Sequence, residues 1–416
     1  MNFVIKIFKD IKLDIIESPI PAKELGYEIL RIEEFPNLLI KNNEKIKFKE
    51  KYKMFNTGCY FLPTKKVKIG ILNYCVKQAD GRNVIKEVDN ALKKIGFSMS
   101  YSKEFLYEEG DKFSYKKKVE EMSEEAIDLA LVVTPSYNSE DYPYDSQYDP
   151  AYDSLKKCFA YKKIPSQMIC AKIENIKYRV QNVVLGIIAK SGGRPWILGE
   201  SMDDIDCFVG IDIQTQEKGI HRPAVVSCFD GQINDIGYFL KDLAQSGEKI
   251  NKNNLKDIFA ELLCMYEKEK GILPKHIMIH RDGFWNEDIE FSRYFEEKGI
   301  EVDIVEIRKG IGERILDLNK DNYNPELGTC LLKDEEAIIV TTDASLGGAP
   351  RPFKLVHRYG KISMRNIIKQ VCVLSEVGLG AMRKSRLPIT IHYADKMCKN
   401  YEYIPKNEIL KVPYFL

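Results

Sequence analysis

The sequence lacks the features that identify several large classes of protein. Its 416 residues contain no apolar run near the 18 residues that a membrane helix needs; one of the longest, 183–189, is far shorter. Ten cysteines include no Cys-x-x-Cys pair, so neither a zinc ribbon nor a disulfide framework is indicated. With no signal-peptide pattern at the N-terminus, a reduced, cytoplasmic compartment and no membrane partner are expected. Only five histidines occur and no His-Glu-x-x-His, so the expected ligands of any metal are oxygen atoms.

An excess of charge of one sign is also missing. Lys and Arg total 63 against 62 Asp and Glu, which gives a net charge of +1. This balance excludes a globally basic nucleic-acid binder, although a locally basic groove remains compatible with it. The hydrophobic fraction of 44% is typical of a globular protein with a sizeable core. The length predicts two or three domains.

The sequence pattern changes character after an irregular N-terminal segment. Residues 1–65 are irregular and punctuated by prolines, which indicates a connector wrapped on the rest of the protein. From 67 to 198, strands alternate with helices, and this alternation predicts a parallel α/β sheet. The predicted strands are 67–74, 97–101, 129–134, 168–171 and 195–198, and the predicted helices are 83–95, 150–164 and 175–190.

A second unit begins near 205. Strands 207–215 and 224–229 are expected to form a hairpin, with 238–243 as a third strand candidate. Helices 253–269, 287–298 and 365–379 then alternate with strands 276–280, 302–307, 337–342 and 353–357, followed by a short extended stretch at 388–391 and a final helix from 394. Antiparallel strands first and strand–helix alternation afterwards are the order of an RNase H-like mixed sheet. The predicted fold class is therefore α/β, with a Rossmann-like parallel sheet before an RNase H-like unit.

Four residues of the first unit form a candidate anion site. Tyr152 and Lys156 are four apart and so share one face near the start of the helix that begins at 150. A helix start offers unpaired N–H groups and a positive dipole end, so a phosphate could bind there with a base stacked on the ring. Gln167 comes at a strand start, and Lys190 lies in the last turn of the next helix. The competing interpretation is structural, because a Tyr–Lys pair at this spacing is common and a lysine suits a helix C-terminus.

Carboxylates of the second unit form a candidate metal site. Asp212 lies inside an apolar strand, where an acid is costly unless it is paired or bound to metal. Asp282 ends another apolar strand, Asp395 could add a third ligand from a helix, and Glu248 lies on a glycine-containing loop that could swing. Such carboxylates can bracket two Mg²⁺ or Mn²⁺ ions, which would support phosphodiester cleavage.

Structural explanations without any catalytic role also exist for two of these acids. Asp282 before a glycine is an ordinary turn pair, and a glutamate such as Glu248 in a polar loop is usually solvated. Asp343 at another strand end is a rival carboxylate. His280 and His392 are expected to pack or to hydrogen-bond, because this chemistry needs no imidazole.

At this point the chain resembles the C-terminal MID–PIWI half of a prokaryotic Argonaute. The resemblance spans 66–416, with 66–200 similar to the MID domain, 201–416 similar to the PIWI domain, and 1–65 similar to the linker that precedes MID. The supporting stretches are Tyr152-x3-Lys156, Ser166-Gln167, Val184-Leu-Gly-Ile-Ile-Ala-Lys190-Ser-Gly-Gly-Arg-Pro-Trp196, Gly210-Ile-Asp212, Gly247-Glu248, His280-Arg-Asp-Gly283, Leu387-Pro-Ile-Thr-Ile-His-Tyr-Ala-Asp395 and Pro413-Tyr-Phe-Leu416. Each stretch is weak alone, whereas their order and spacing together are specific.

The resemblance assigns the anion site to the 5′-phosphorylated end of a guide strand. It implies that Tyr152 stacks on the first base and that Lys156, Gln167 and Lys190 hold the phosphate. The terminal carboxylate of Leu416 is expected to share a divalent cation with that guide end.

The resemblance also implies a slicing site of four acids. Asp212, Glu248, Asp282 and Asp395, which are 36, 34 and 113 residues apart, match the family's catalytic order. Asp212, Asp282 and Asp395 would bind the two Mg²⁺ or Mn²⁺ ions, and Glu248 would enter the site on its loop when a target duplex forms.

The N-terminal and PAZ domains of a full-length Argonaute have no counterpart in the sequence. We therefore expect the C-terminal portion of a longer or split protein, with an N-terminal/PAZ half or an accessory protein as a candidate partner. The leading hypothesis is an endonuclease that cuts a target strand paired to a short DNA or RNA guide. The alternatives are a guide and target binding module without efficient cleavage, and an RNase H-like nuclease that uses no guide.

Overall fold

The structure is a computed structural model that describes residues 19–75, 77–106, 114–134, 150–171, 176–203, 205–213, 221–244, 249–287, 292–343 and 349–413. The side chains at 114, 150–153, 221–223 and 244 are outside this description. Within these ranges the strands form three sheets, of nine, four and three strands. No helix of the described part combines the length and apolar character needed to cross a lipid bilayer.

The described part of the N-terminal segment, 19–65, packs on the rest of the chain, in agreement with the interpretation of its prolines and irregular pattern. Its elements are β1 (Glu28–Arg31), β2 (Leu38–Leu39), β3 (Lys45–Ile46) and the short helix α1 (Met54–Thr57). β1 pairs antiparallel with 329–332 at the edge of the nine-stranded sheet. β2 pairs with β3 on one side and with 197–198 on the other. The segment therefore contacts both later units by main-chain hydrogen bonds.

The first unit is a parallel sheet with helices on both faces. Its elements are β4 (Val67–Asn73), α2 (Gln78–Lys94), β5 (Met99–Leu106), α3 (Ser114–Glu124), β6 (Leu129–Thr134), α4 (Pro150–Tyr161), β7 (Ser166–Cys170), α5 (Ile176–Lys190) and the short β8 (Ile197–Leu198). The strand order is β5-β4-β6-β7, and every pairing is parallel. Apolar residues of α2 and α5 belong to one core and those of α3 and α4 to another. The helices thus cover opposite faces, as a Rossmann-like sheet requires.

The second unit is built on the nine-stranded mixed sheet. Its elements are β9 (Cys207–Ile213), β10 (His221–Asp230), β11 (Asp235–Ala244), α6 (Lys252–Lys270), β12 (His276–Asp282), α7 (Ser292–Glu296), β13 (Glu301–Arg308), β14 (Thr329–Lys333), β15 (Glu336–Ile339), β16 (Phe353–Tyr359), α8 (Met364–Glu376) and α9 (Ile389–Lys399). β9, β10 and β11 form the expected antiparallel meander. β12 then lies parallel to β9 and β13 parallel to β12. One face of this sheet packs on α6 and α7, and the other on α8 and α9.

One sequence-based expectation in this unit is wrong and another is right only in part. The stretch 388–391 is not extended, because α9 begins at Ile389 directly after Pro388. A proline suits that place since the first N–H groups of a helix need no internal partner. The helix predicted over 287–298 is present in part, because α7 covers Ser292–Glu296 whereas Glu287 is not helical. Its buried carboxylate instead accepts the N–H of Ile250 at 3.2 Å.

Candidate metal centre and anion pocket

Three of the four predicted acids converge where two strands and a helix meet. Arg281 on β12 pairs with Ile211 on β9, so the next residue of each strand, Asp282 and Asp212, lie side by side. Helix α9 packs on both strands and brings Asp395 to the same place. One carboxylate oxygen from each of the three acids lies within 4.8 Å of the other two. Glu248, the fourth predicted acid, is outside the described residues.

Helix α9 reaches this position because it lies unusually close to β9. A Cβ atom added to Gly210 would be 2.3 Å from the carbonyl oxygen of Thr390 in the first turn of α9. The same carbonyl accepts a hydrogen bond from Ser227 Oγ at 2.7 Å. The hydroxyl of Thr390 lies 2.8 Å from Nδ1 of His280 on β12. Glycine at 210 and these two contacts therefore determine how closely α9, which carries Asp395, packs on the strands.

The three carboxylates differ in their electrostatic surroundings. Burial, and after it the charge of Asp282, raises the pKa of Asp212 to about 7. Burial also raises the pKa of Asp395, but hydrogen bonds from Lys309 and Lys399 outweigh it and leave that pKa below its usual value. Lys309 Nζ lies 2.6 Å from Asp282 Oδ2 and also contacts Asp395 Oδ1. The cluster thus attracts positive charge.

The donor set fits a hard divalent cation. Its donors are carboxylate oxygens, which Mg²⁺ and Mn²⁺ prefer, and three of them are close enough to share one or two ions. The pKa of Asp212 is raised by burial and by the charge of Asp282, and a bound cation would offset both effects. Asp343, the rival carboxylate, is exposed and is not among the three acids brought together.

The two histidines near the acids are neutral packing residues, in agreement with the sequence-based interpretation. Burial lowers the pKa of His280 to about 3. Burial, followed by the charge of Lys396, lowers the pKa of His392 to about 4. Among the described residues, neither histidine contributes a ligand atom to the cluster formed by the three acids.

The second candidate site brings Lys156, Gln167 and Lys190 together beside the start of β7. Lys156 and Lys190 both donate to the carbonyl oxygen of Ser166, at 3.1 and 2.9 Å. Lys190 also donates to Gln167 Oε1 at 2.6 Å. Tyr152 lies in the first turn of α4, but its side chain is outside the described residues, as is Leu416.

Lys190 is buried and Lys156 is half-buried, and the charge of a third lysine, Lys396, acts on both. Burial, then the charge of Lys396, lowers the pKa of Lys156 to about 8. Burial, then the charges of Lys156 and Lys396, lowers the pKa of Lys190 well below its usual value. Two ammonium groups that are largely removed from water and repel each other are costly, and a bound anion would offset that cost. The arrangement therefore favours an anion such as a terminal phosphate.

Sequence reasoning missed two lysines at these sites. Lys309 follows β13 directly and reaches the acids from a strand that carries none of them. Lys396 follows Asp395 on α9, so one helix contributes a carboxylate to the acidic cluster and a cation to the anion pocket. A charged residue next to a candidate ligand is common on a helix, so Lys396 has no distinctive local pattern. Lys309 reaches the acids only through tertiary contacts, which its local sequence does not indicate.

Comparisons with known proteins identify the family to which the chain is similar. Residues 144–405 match the Piwi domain family. The Argonaute protein of Aquifex aeolicus is 28% identical over 327 residues, covering 76% of this chain and 45% of that protein. The Argonaute protein of Thermus thermophilus is 28% identical over 297 residues, covering 69% of this chain and 40% of that protein.

A solved structure is similar over nearly the whole chain. Clostridium butyricum Argonaute, bound to a guide DNA (5′ deoxycytidine) and a 19-mer target DNA, aligns with a TM-score of 0.79 and 32% identity. The alignment covers 95% of this chain and 55% of that one. The likeness confirms the predicted fold class. The chain spans about half the length of the relatives that it matches.

Proposed function

Because this chain belongs to the Argonaute family of Piwi-domain proteins, we propose that it binds the 5′-phosphorylated end of a guide strand and cleaves the paired target strand by two-metal phosphodiester hydrolysis. The observation that carries the proposal is the convergence of Asp212, Asp282 and Asp395 within 4.8 Å. Carboxylates from two strands and a helix have little structural reason to crowd together unless they hold cations.

The proposed division of labour follows from the two sites. Asp212, Asp282 and Asp395 hold Mg²⁺ or Mn²⁺, and Glu248 joins them from its loop. Bound divalent ions would lower the pKa of an attacking water and stabilise the leaving oxygen of the phosphodiester. The acids orient the scissile phosphate by fixing where those positive charges lie.

The guide is proposed to be held at its leading end. Lys156, Gln167 and Lys190 bind the 5′-phosphate, Tyr152 stacks on the first base, and the carboxylate of Leu416 shares a further cation with that end. The lysine pair supports this assignment, since an anion would relieve the repulsion between its two members. The proposed partners are therefore a short 5′-phosphorylated DNA or RNA guide and its complementary target.

Cleavage is tested with the full chain, a 5′-phosphorylated guide, a labelled complementary target and Mn²⁺. Both DNA and RNA are offered as guide and as target. Asp282→Asn keeps the size of the side chain and removes its charge, so we expect the cleavage rate to fall by a factor on the order of 100 or more. Asp343→Asn changes the exposed rival acid and should cleave like the wild type. Equal cleavage by wild type and Asp282→Asn would refute the site.

Guide anchoring is tested by comparing 5′-phosphate and 5′-hydroxyl guides. We expect the phosphate to strengthen binding by about 2 kcal/mol, more than one exposed ion pair provides. Lys190→Met should abolish this preference, whereas Lys177→Met, which removes a lysine from the first turn of the same helix, should retain it. Equal affinity of the wild type for the two guides would contradict the anion-site assignment.

A second candidate function is guide and target binding without efficient cleavage. The contacts of Lys309 with Asp282 and Asp395 favour it, because an ammonium group held there competes with divalent ions. In that case target retention would depend on the guide, while the labelled target would stay intact at saturating Mn²⁺.

A further inference from the structure

Lys309 occupies a position that nothing in its local sequence explains. It is the residue after β13, and its side chain extends into the acidic cluster. Its ammonium group lies 2.6 Å from Asp282 Oδ2 and contacts Asp395 Oδ1. One lysine therefore bridges a strand end and a helix at the place where the two acids approach Asp212.

We infer that Lys309 is a placeholder cation, which balances Asp282 and Asp395 while no divalent ion is bound and withdraws when one binds. The inference rests on the proposed function, because it assumes that these acids bind metal. An oxygen lone pair that accepts a hydrogen bond from an ammonium group is not available to a metal ion. Without the ammonium group, the carboxylates would repel one another across less than 4.8 Å.

The surroundings of Lys309 allow its side chain to withdraw while its main chain stays in place. Its carbonyl oxygen accepts a hydrogen bond from Arg386 Nη2 at 2.5 Å, which anchors the backbone. The side chain is 37% exposed, so its flexible alkyl chain has a route to solvent. The ammonium group can therefore exchange for a metal ion without a change in the fold.

Lys399 is the control for Lys309, because it also forms an ion pair with Asp395. It lies 2.7 Å from Asp395 Oδ2, its side chain is 69% exposed, and this is its one ion pair with the three acids of the cluster. It is also one helical turn away on α9, which is a common local ion pair. Removing it should change the charge near the site without opening the position between Asp282 and Asp395.

The test measures Mn²⁺ binding by calorimetry and the melting temperature of the metal-free full chain. For Lys309→Met we expect roughly ten-fold tighter Mn²⁺ binding, the scale of one charge-assisted hydrogen bond. Without metal this variant should melt a few degrees lower, and saturating Mn²⁺ should close that gap. Lys309→Gln, which keeps a hydrogen-bond donor without the charge, should behave in the same way, and Lys399→Met should change the Mn²⁺ affinity less than either.

Two results would overturn the inference, and they differ in their consequences. If the wild type binds Mn²⁺ and neither Lys309 variant binds it more tightly, Lys309 is a permanent part of the site and only this inference fails. If Mn²⁺ binds to neither the wild type nor the variants, the proposed metal site fails and the inference fails with it.

Discussion

At the scale of single residues, Gly186 shows how closely the anion pocket is built. A Cβ atom added there would lie 2.2 Å from Gln167 Oε1, the oxygen that accepts from Lys190. Helix α5 can approach β7 this closely only because residue 186 has no side chain. The glycine therefore supports the geometry of a polar contact between the helix and the strand.

Gly186→Ala should disturb the anion pocket more than the fold. The atom it meets is the end of a flexible side chain, so Gln167 can move aside at small cost in stability. We expect the preference for a 5′-phosphorylated over a 5′-hydroxyl guide to fall roughly five-fold. Filter binding with the two guides measures this, and Gly312→Ala, whose added Cβ meets nothing within 4 Å, is the control. An unchanged preference would show that Gln167 does not contact the phosphate.

The residues predicted at the two sites do lie close together, but only Asp212 carried an unusual local signal, and the others were placed by the family resemblance. Asp212 inside an apolar strand and Asp282 at a strand end both lie in the acidic cluster, and Lys156, Gln167 and Lys190 do meet. Their assigned roles remain predictions. Lys309 and Lys396 could not be found, because their importance comes from tertiary neighbours and not from their own sequence context.

At the scale of elements, the contact between α9 and β9 positions the metal centre. Gly210→Ala would place a methyl group against the carbonyl of Thr390, which is main chain and cannot move without the helix. We expect a loss of about 1–3 kcal/mol in the free energy of unfolding. Because α9 carries Asp395, the affinity for Mn²⁺ should fall as well. Urea unfolding and Mn²⁺ calorimetry measure the two effects, and wild-type values in both would contradict the tight packing described.

The opposite end of the same strands is joined by a histidine–aspartate–histidine arrangement. Nε2 of His276 on β12 and of His357 on β16 lie 2.7 and 2.9 Å from the carboxylate of Asp303 on β13. Burial lowers the pKa of His357, but hydrogen bonds to Asp303 and Glu335 outweigh it and leave the pKa above its usual value. His357 thus links β16 to Asp303 on β13 and to Glu335 in the turn before β15, and both contacts strengthen when the imidazole is protonated.

This arrangement predicts a pH-dependent stability. A group whose pKa is raised by folding stabilises the fold fully below its unfolded pKa, about 6.5 for histidine, and loses that effect as the pH rises through the folded value. His357→Gln should therefore cost on the order of 1 kcal/mol at about pH 6 and progressively less at higher pH. Urea unfolding across this range measures the difference, with the exposed Lys361→Gln as control. A cost that does not change with pH would refute the linkage.

Helices and strands could be predicted from the sequence where their apolar pattern is strong, but not where tertiary contacts determine the conformation. The buried strands of both sheets follow from their apolar runs. Helix α9 begins in a β-branched, apolar stretch that favours an extended conformation locally, and burial against β9 and β10 overrides that preference. Helix α3 is not among the predicted helices because charged residues dominate its sequence, although its three buried apolar residues, Tyr115, Val119 and Met122, do have helical spacing.

At the scale of the whole molecule, the N-terminal segment ties the two units together. Lys51 is almost fully buried, lies 5.4 Å from the ring centroid of Trp196, and donates to the carbonyl of Glu376 at the end of α8. Irregularity and prolines predicted that this segment wraps on something else. They could not specify its partners, because pairings such as β1 with β14 join residues about 300 positions apart.

The relative placement of the two sites leads to the central claim, that one chain holds a guide end at a fixed distance from the cutting site. Helix α9 carries both Asp395 of the acidic cluster and Lys396, whose charge acts on the lysines of the anion pocket, so one helix connects the two sites. The most direct measurement maps the cut in one labelled target with a series of 5′-phosphorylated guides, each starting one nucleotide further along. We predict that the cut moves by one nucleotide with each guide and is unaffected by shortening the guide's other end. A cut that stays at one target position, or that follows the guide's 3′ end, would contradict the account.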